Sequence, residues 1–96
     1  MATFIVLANY TDQGIRAIKD SPKRASAFAE QAKSAGLTVR DVFWTMGHYD
    51  LVVILDAPDE IAASTALMKL GSLGNVKTQT LRAFSGDEME RIVAQI

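Results

Sequence analysis

Residues 46–59 read MGHYDLVVILDAPD, and the way this stretch is parsed decides the fold. Gly47 and His48 have the look of a turn, yet the chain then runs through five apolar residues, Leu51 to Leu55, with no polar alternation. A strand with one face in water alternates, whereas a strand covered on both faces does not. Tyr49 to Asp56 is therefore expected to be a central strand. Thr3 to Tyr10 carries FIVLA and reads the same way, ending at the turn-former Asn9. Two such strands in a chain of this size require a cover on each side of one sheet.

Between these strands, Ser21-Pro22 marks a helix start, because proline at the first helical position loses no needed hydrogen bond. The helix is expected to run to about Ala35, burying Ala25, Phe28, Ala29 and Ala32 on a narrow face of small residues, with Gly36 as its stop. Leu37 to Thr45 reads as a second strand, with Val39, Asp41, Phe43 and Thr45 on one face and Val42, Trp44 and Met46 on the other. Arg40 and Asp41 suit an edge position. Gly47-His48 would join it to the third strand in a tight hairpin. Asp59 caps a second helix, Glu60 to Leu70, with Ile61, Thr65 and Met68 on one stripe and Ala62, Ala66 and Leu70 beside it. Val76 to Phe84 is the fourth strand. Ser85-Gly86-Asp87-Glu88 is a capping box opening a last helix, whose Met89, Ile92, Val93 and Ile96 recur at helical spacing.

The order is βαββαβ with an extra C-terminal helix: an α+β, ferredoxin-like domain over residues 1–96 with an antiparallel four-stranded sheet. Helices cover one face of such a sheet. The apolar second face is expected to pack against the sheet of a second copy, in a large apolar interface.

Composition narrows the function classes. Ten basic and eleven acidic residues balance, so no global field draws nucleic acid or an anionic membrane. There is no cysteine and a single histidine, which argues against a disulfide framework, a thiolate nucleophile and a metal site. No cofactor is expected, and no GxGxxG or GxxxxGK[ST] loop occurs. The N-terminal run resembles neither an export signal nor a membrane span, so a cytoplasmic location is the default expectation.

Chemistry concentrates at few places. His48, Tyr49 and Asp50 place an imidazole, a phenol and a carboxylate on one turn, although strand alternation sends Tyr49 and Asp50 to opposite faces. The local alternative has Asp50 fixing backbone, Tyr49 packing on the sheet and His48 in water. Gly14 to Arg24 holds four basic residues and one acid, and Lys19 with Arg24 could hold a carboxylate or phosphate; the alternative is a solvated face. Arg82, on the fourth strand with Val76, Thr78, Thr80 and Phe84, needs an acidic partner or an anionic ligand if it points inward, and Asp50 is one such partner. Trp44 and Phe43 are more often packing anchors than ligand stackers.

Three segments, LANYTDQGIRAIKDSPKR, TMGHYDLVVILDAPD and LGSLGNVKTQTLRAF, together resemble the GYD-domain proteins, named for a Gly-Tyr-Asp motif that appears here as Gly47-His48-Tyr49-Asp50 with one residue inserted. Tyr10 stands where that resemblance would put tryptophan. The resemblance implies membership in the dimeric α/β-barrel superfamily, and so a homodimer. More distantly, GHYDLVVILDAPD and LGNVKTQTL look like the effector-binding domain of leucine-responsive transcription regulators, without their helix-turn-helix domain.

Three functions are then open. The first is a homo-oligomer that binds a small, anionic metabolite, with Arg82 as anchor and His48 setting pH dependence. The second is a cofactor-independent monooxygenase-like enzyme, which the barrel superfamily also contains, using His48 with Tyr49 or Tyr10 as proton carriers and Trp44 to shape a pocket. The third is pure assembly. The lack of a nucleophile motif or an acidic dyad favours binding over catalysis.

Overall fold

The computed structural model describes residues 1–96. Four strands, β1 (Ala2–Tyr10), β2 (Thr38–Trp44), β3 (Leu51–Ala57) and β4 (Val76–Ala83), form one antiparallel sheet in the order β2-β3-β1-β4. The runs read as doubly apolar are thus the two inner strands. Along β1, Phe4, Val6 and Ala8 are buried, opposite Leu55, Val53 and Leu51 of β3. Their neighbours Ile5 and Leu7 point the other way, opposite Ile54 and Val52.

The helices are α1 (Asp12–Arg16), α2 (Ser21–Ser34), α3 (Glu60–Ser72) and α4 (Gly86–Val93), with a 3-10 turn at Ile18–Asp20. Both α2 and α3 cover the same face of the sheet: Phe28, Ala32, Ala63 and Leu67 join Phe4, Val6, Val53 and Leu55 in one core. The fold is α+β, with the ferredoxin-like element order, an additional C-terminal helix and one open sheet face.

Three local expectations need correction. The faces of β2 are not those of simple alternation, because a bulge at Arg40 shifts the register between Val39 and Asp41. One extra residue puts Val39 on the helix side with Val42, while Asp41 and Phe43 face outward. On α3 the buried residues are Ala63 and Leu67, and Ile61 and Met68 are exposed. Apolar residues surround most of that helix, so periodicity does not fix its rotation; the small Ala62, Ala63 and Ala66 do, by allowing close approach to the sheet. Finally, the β2–β3 connection is a loop over residues 45–50 and not a two-residue turn. Gly47 takes a positive φ of 103°, and Asp50 is drawn to β1, its N–H donating to the Ala8 carbonyl at 2.9 Å.

A second junction locks the sheet end. The Thr11 N–H donates to the Asn75 carbonyl (3.1 Å), its hydroxyl to the Gly74 carbonyl (2.5 Å), and Gln13 Nε2 bonds the Leu73 carbonyl and Asn75 Oδ1. Gly14 lies so close that a Cβ there would sit 2.0 Å from the Asn75 oxygen. Backbone, unlike a flexible side chain, cannot step aside. Gly14→Ala is therefore expected to destabilise the chain by about 1–3 kcal/mol in urea unfolding.

Candidate functional site

The chemistry-bearing residues divide between two ends of the sheet. At the first end, Asp50 Oδ2 accepts the Tyr10 N–H at 2.9 Å. The carboxylate thereby ties the end of β1 to the loop before β3. Thr45 closes that loop, its N–H donating to the Asp50 carbonyl (2.8 Å) and its hydroxyl to the Tyr49 carbonyl (2.6 Å). The Tyr49 hydroxyl donates to Gln79 Oε1 at 2.8 Å, while His48 is exposed in the loop. His48, Tyr49 and Asp50 are adjacent in sequence without converging on one point.

Behind this loop lies a tighter group. The Trp44 indole N–H donates to Ser21 Oγ at 3.0 Å, and the same Oγ is 2.7 Å from the Tyr10 hydroxyl. Ser21 is 4 % exposed. Reading Ser21 only as a helix start missed this node; the sole signal for it is a small hydroxyl at a helix entry facing two aromatics. Tyr10 and Ser21 also line a cavity of about 130 Å³ between the sheet and α2/α3.

Arg24 lies along the same cavity, but its guanidinium donates to the carbonyls of Ala17 (3.0 Å) and Gly14 (3.3 Å). It clasps the α1 segment against α2. Lys19 is exposed on the 3-10 turn.

Arg82 is at the opposite end, across from Phe4 of β1, whereas Asp50 bonds Tyr10. Six residues of strand, about 20 Å, separate those two positions. Asp50 is thus not the acidic partner of Arg82. Glu88 of α4 is, at 3.1 Å, with Glu60 at 4.0 Å; the guanidinium also donates to the Ala83 carbonyl and stacks 4.6 Å from the Phe84 ring centre. The partner escaped the sequence reading because Glu88 was already accounted for as the capping-box residue. It performs both tasks, since Glu88 Oε1 accepts the Ser85 N–H at 3.0 Å while Oε2 takes Arg82. No three His, Asp or Glu side chains gather closely enough to hold a metal ion, and no helix is long and apolar enough to cross a membrane.

The Ser85 N–H, followed by the Arg82 guanidinium, holds the Glu88 carboxyl below its usual value of 4.5. A depressed folded-state pKa means the stabilisation is complete above the unfolded carboxylate range and is lost as pH falls through the lowered value. The start of α4 should therefore fray in acid below about pH 4.5, read as a loss of protection of the Glu88 and Met89 amides relative to their intrinsic exchange rates at each pH. Glu88→Gln should flatten that acid limb. At the other end, Asp50→Ala leaves the Tyr10 N–H without its acceptor and should cost about 1–2 kcal/mol in chemical denaturation.

Comparison with known proteins fits this architecture. Residues 4–93 match the model of the GYD domain. The chain is 34% identical over 84 residues to a glutamine synthetase and cystathionine beta-lyase binding protein of Thermus thermophilus, covering 86% of this chain and 88% of that one. The crystal structure of TTHA0845 from Thermus thermophilus superposes with a TM-score of 0.57 at 25% identity, over 90% of this chain and 96% of that one. Within that range, Asp50 bonds Tyr10, Thr11 bonds Gly74 and Gln13 bonds Leu73 at the first end of the sheet. The chain belongs to the GYD-domain family.

Proposed function

We propose that this chain is a non-catalytic binding module that pairs with a second copy through its open sheet face and engages other proteins in the assembled state. The observation that carries this reading is the composition of that face. Ile5, Leu7, Val52 and Ile54 form its centre, flanked by Phe43, which is 53% exposed, and Leu81, which is 41% exposed. Polar groups sit at its two ends. Thr3 donates to Asp56 (2.7 Å), with Arg40 alongside, and Tyr49 bonds Gln79 near Lys77. An apolar centre between polar rims is the anatomy of a protein interface.

Further support comes from α4. Its Met89, Ile92 and Val93, continued by Ile96, are exposed along one side, and its first turn is held by Arg82. The relative named as a binding protein for two enzymes supports protein partners, and glutamine synthetase and cystathionine beta-lyase are the first to test. An anionic metabolite has less support. Two of the three cations meant to anchor it are occupied, Arg82 by carboxylates and Arg24 by backbone carbonyls, and Lys19 is exposed on the 3-10 turn.

Sedimentation velocity at low micromolar concentration is expected to show a homodimer for the wild type. Ile54→Asp places a charge at the centre of the face and should give a folded monomer with unchanged circular dichroism. A wild-type monomer, or an Ile54→Asp dimer, would refute pairing through this face. Loss of enzyme co-sedimentation in Ile54→Asp would link partner binding to assembly.

A further inference from the structure

The cavity on the helix side lies across the sheet from the proposed interface, and nothing in the interface reading uses it. It exists because of the sequence of α2. Ala25 and Ala27 line it where larger residues would fill the space, while Phe28 and Leu67 wall it from the two helices and Val53 forms the floor. Most of the lining is apolar. Among its polar groups, the hydroxyls of Tyr10 and Ser21 are bonded to each other.

That group holds three polar hydrogens. Trp44 has one N–H, which goes to Ser21 Oγ. Tyr10 and Ser21 have one O–H each, and between them they make one further hydrogen bond. If Ser21 donates, the Tyr10 proton is spare; if Tyr10 donates, the Ser21 proton is spare. In both arrangements one hydroxyl donor is left over, carried by a residue that lines the cavity.

The geometry points to a binding site for a small, uncharged, largely apolar molecule with one hydrogen-bond acceptor, such as a cyclic or short-chain ketone. Size is set by the volume, about 130 Å³. An apolar cavity of about 150 Å³ accepts benzene, so the body of the ligand is about one six-membered ring. Charge is set by the lining. A carboxylate would exchange water for uncharged donors alone, the spare hydroxyl with the Gln31, Asn75 and Thr78 side chains of the lining, since the Arg24 guanidinium is turned to the Ala17 and Gly14 carbonyls. A ketone needs only the one donor.

Amide chemical-shift mapping with cyclohexanone, methylcyclohexane and cyclohexanecarboxylate tests the site. Cyclohexanone is expected to shift the amides of Ser21, Ala25 and Val76 saturably. Methylcyclohexane should bind about fivefold to tenfold more weakly, the worth of one hydrogen bond, and the carboxylate should not bind. The proton count makes a sharper demand. Tyr10→Phe and Ser21→Ala each leave one hydroxyl and should keep the preference for the ketone, whereas the double variant should lose it. Ala25→Leu, which fills the cavity, should abolish binding of both neutral probes while retaining the fold. Equal affinity for ketone and hydrocarbon in the wild type would overturn the proposal. So would shifts that persist in Ala25→Leu, or no saturable shift with any probe; these outcomes hold even if the double variant does not fold.

Discussion

Everything in this molecule is arranged around the pairing of β1 with β3. Seven consecutive residue pairs, Ala2 with Ala57 through Ala8 with Leu51, run down the middle of the sheet. Both strands carry aliphatic side chains to both sides, so the ladder creates two apolar surfaces at once. One is sealed within the chain, by Phe28 and Ala32 of α2 and Ala63 and Leu67 of α3. The other has only its polar rims. A fold of this size has enough helix for one side, which is why the other side stays open and is the face the proposed pairing would cover.

How much of this could be read in advance depended on the range of the interaction. The inner strands were legible because their burial on both faces is written in consecutive residues, and the edge position of β2 because Arg40 and Asp41 announce it. The rotation of α3 was not, since an apolar surface on most sides gives periodicity nothing to select. The bulge was not legible either, because a single extra residue in a strand leaves no mark on composition. Among the candidate site residues, the divergence of His48, Tyr49 and Asp50 was legible, because strand alternation already separates neighbours in sequence. The partners that matter, Ser21 with Trp44 and Arg82 with Glu88, lie on different elements, and only the closed fold brings them into reach.

The same distinction applies to the joint at the first end of the sheet. Asp50 holds Tyr10, Thr11 holds Gly74, and Gly14 fits against Asn75. Each contact sets backbone against a short side chain or, at Gly14, against none, where size and polarity have little latitude. Together these contacts form a joint, whatever the neighbouring cavity holds.

The bulge at Arg40 has a further consequence, for where growth of an assembly stops. An open sheet has two edges as well as two faces, and a flat edge can recruit strand after strand into a fibre. On β2 the extra residue breaks the even spacing of free backbone groups just where Arg40 and Asp41 place opposite charges. A newcomer at that edge meets a kink and must desolvate charge. Edgewise propagation, which has no natural end, is thereby disfavoured, whereas the twofold pairing proposed for the face would consume the sticky surface and terminate.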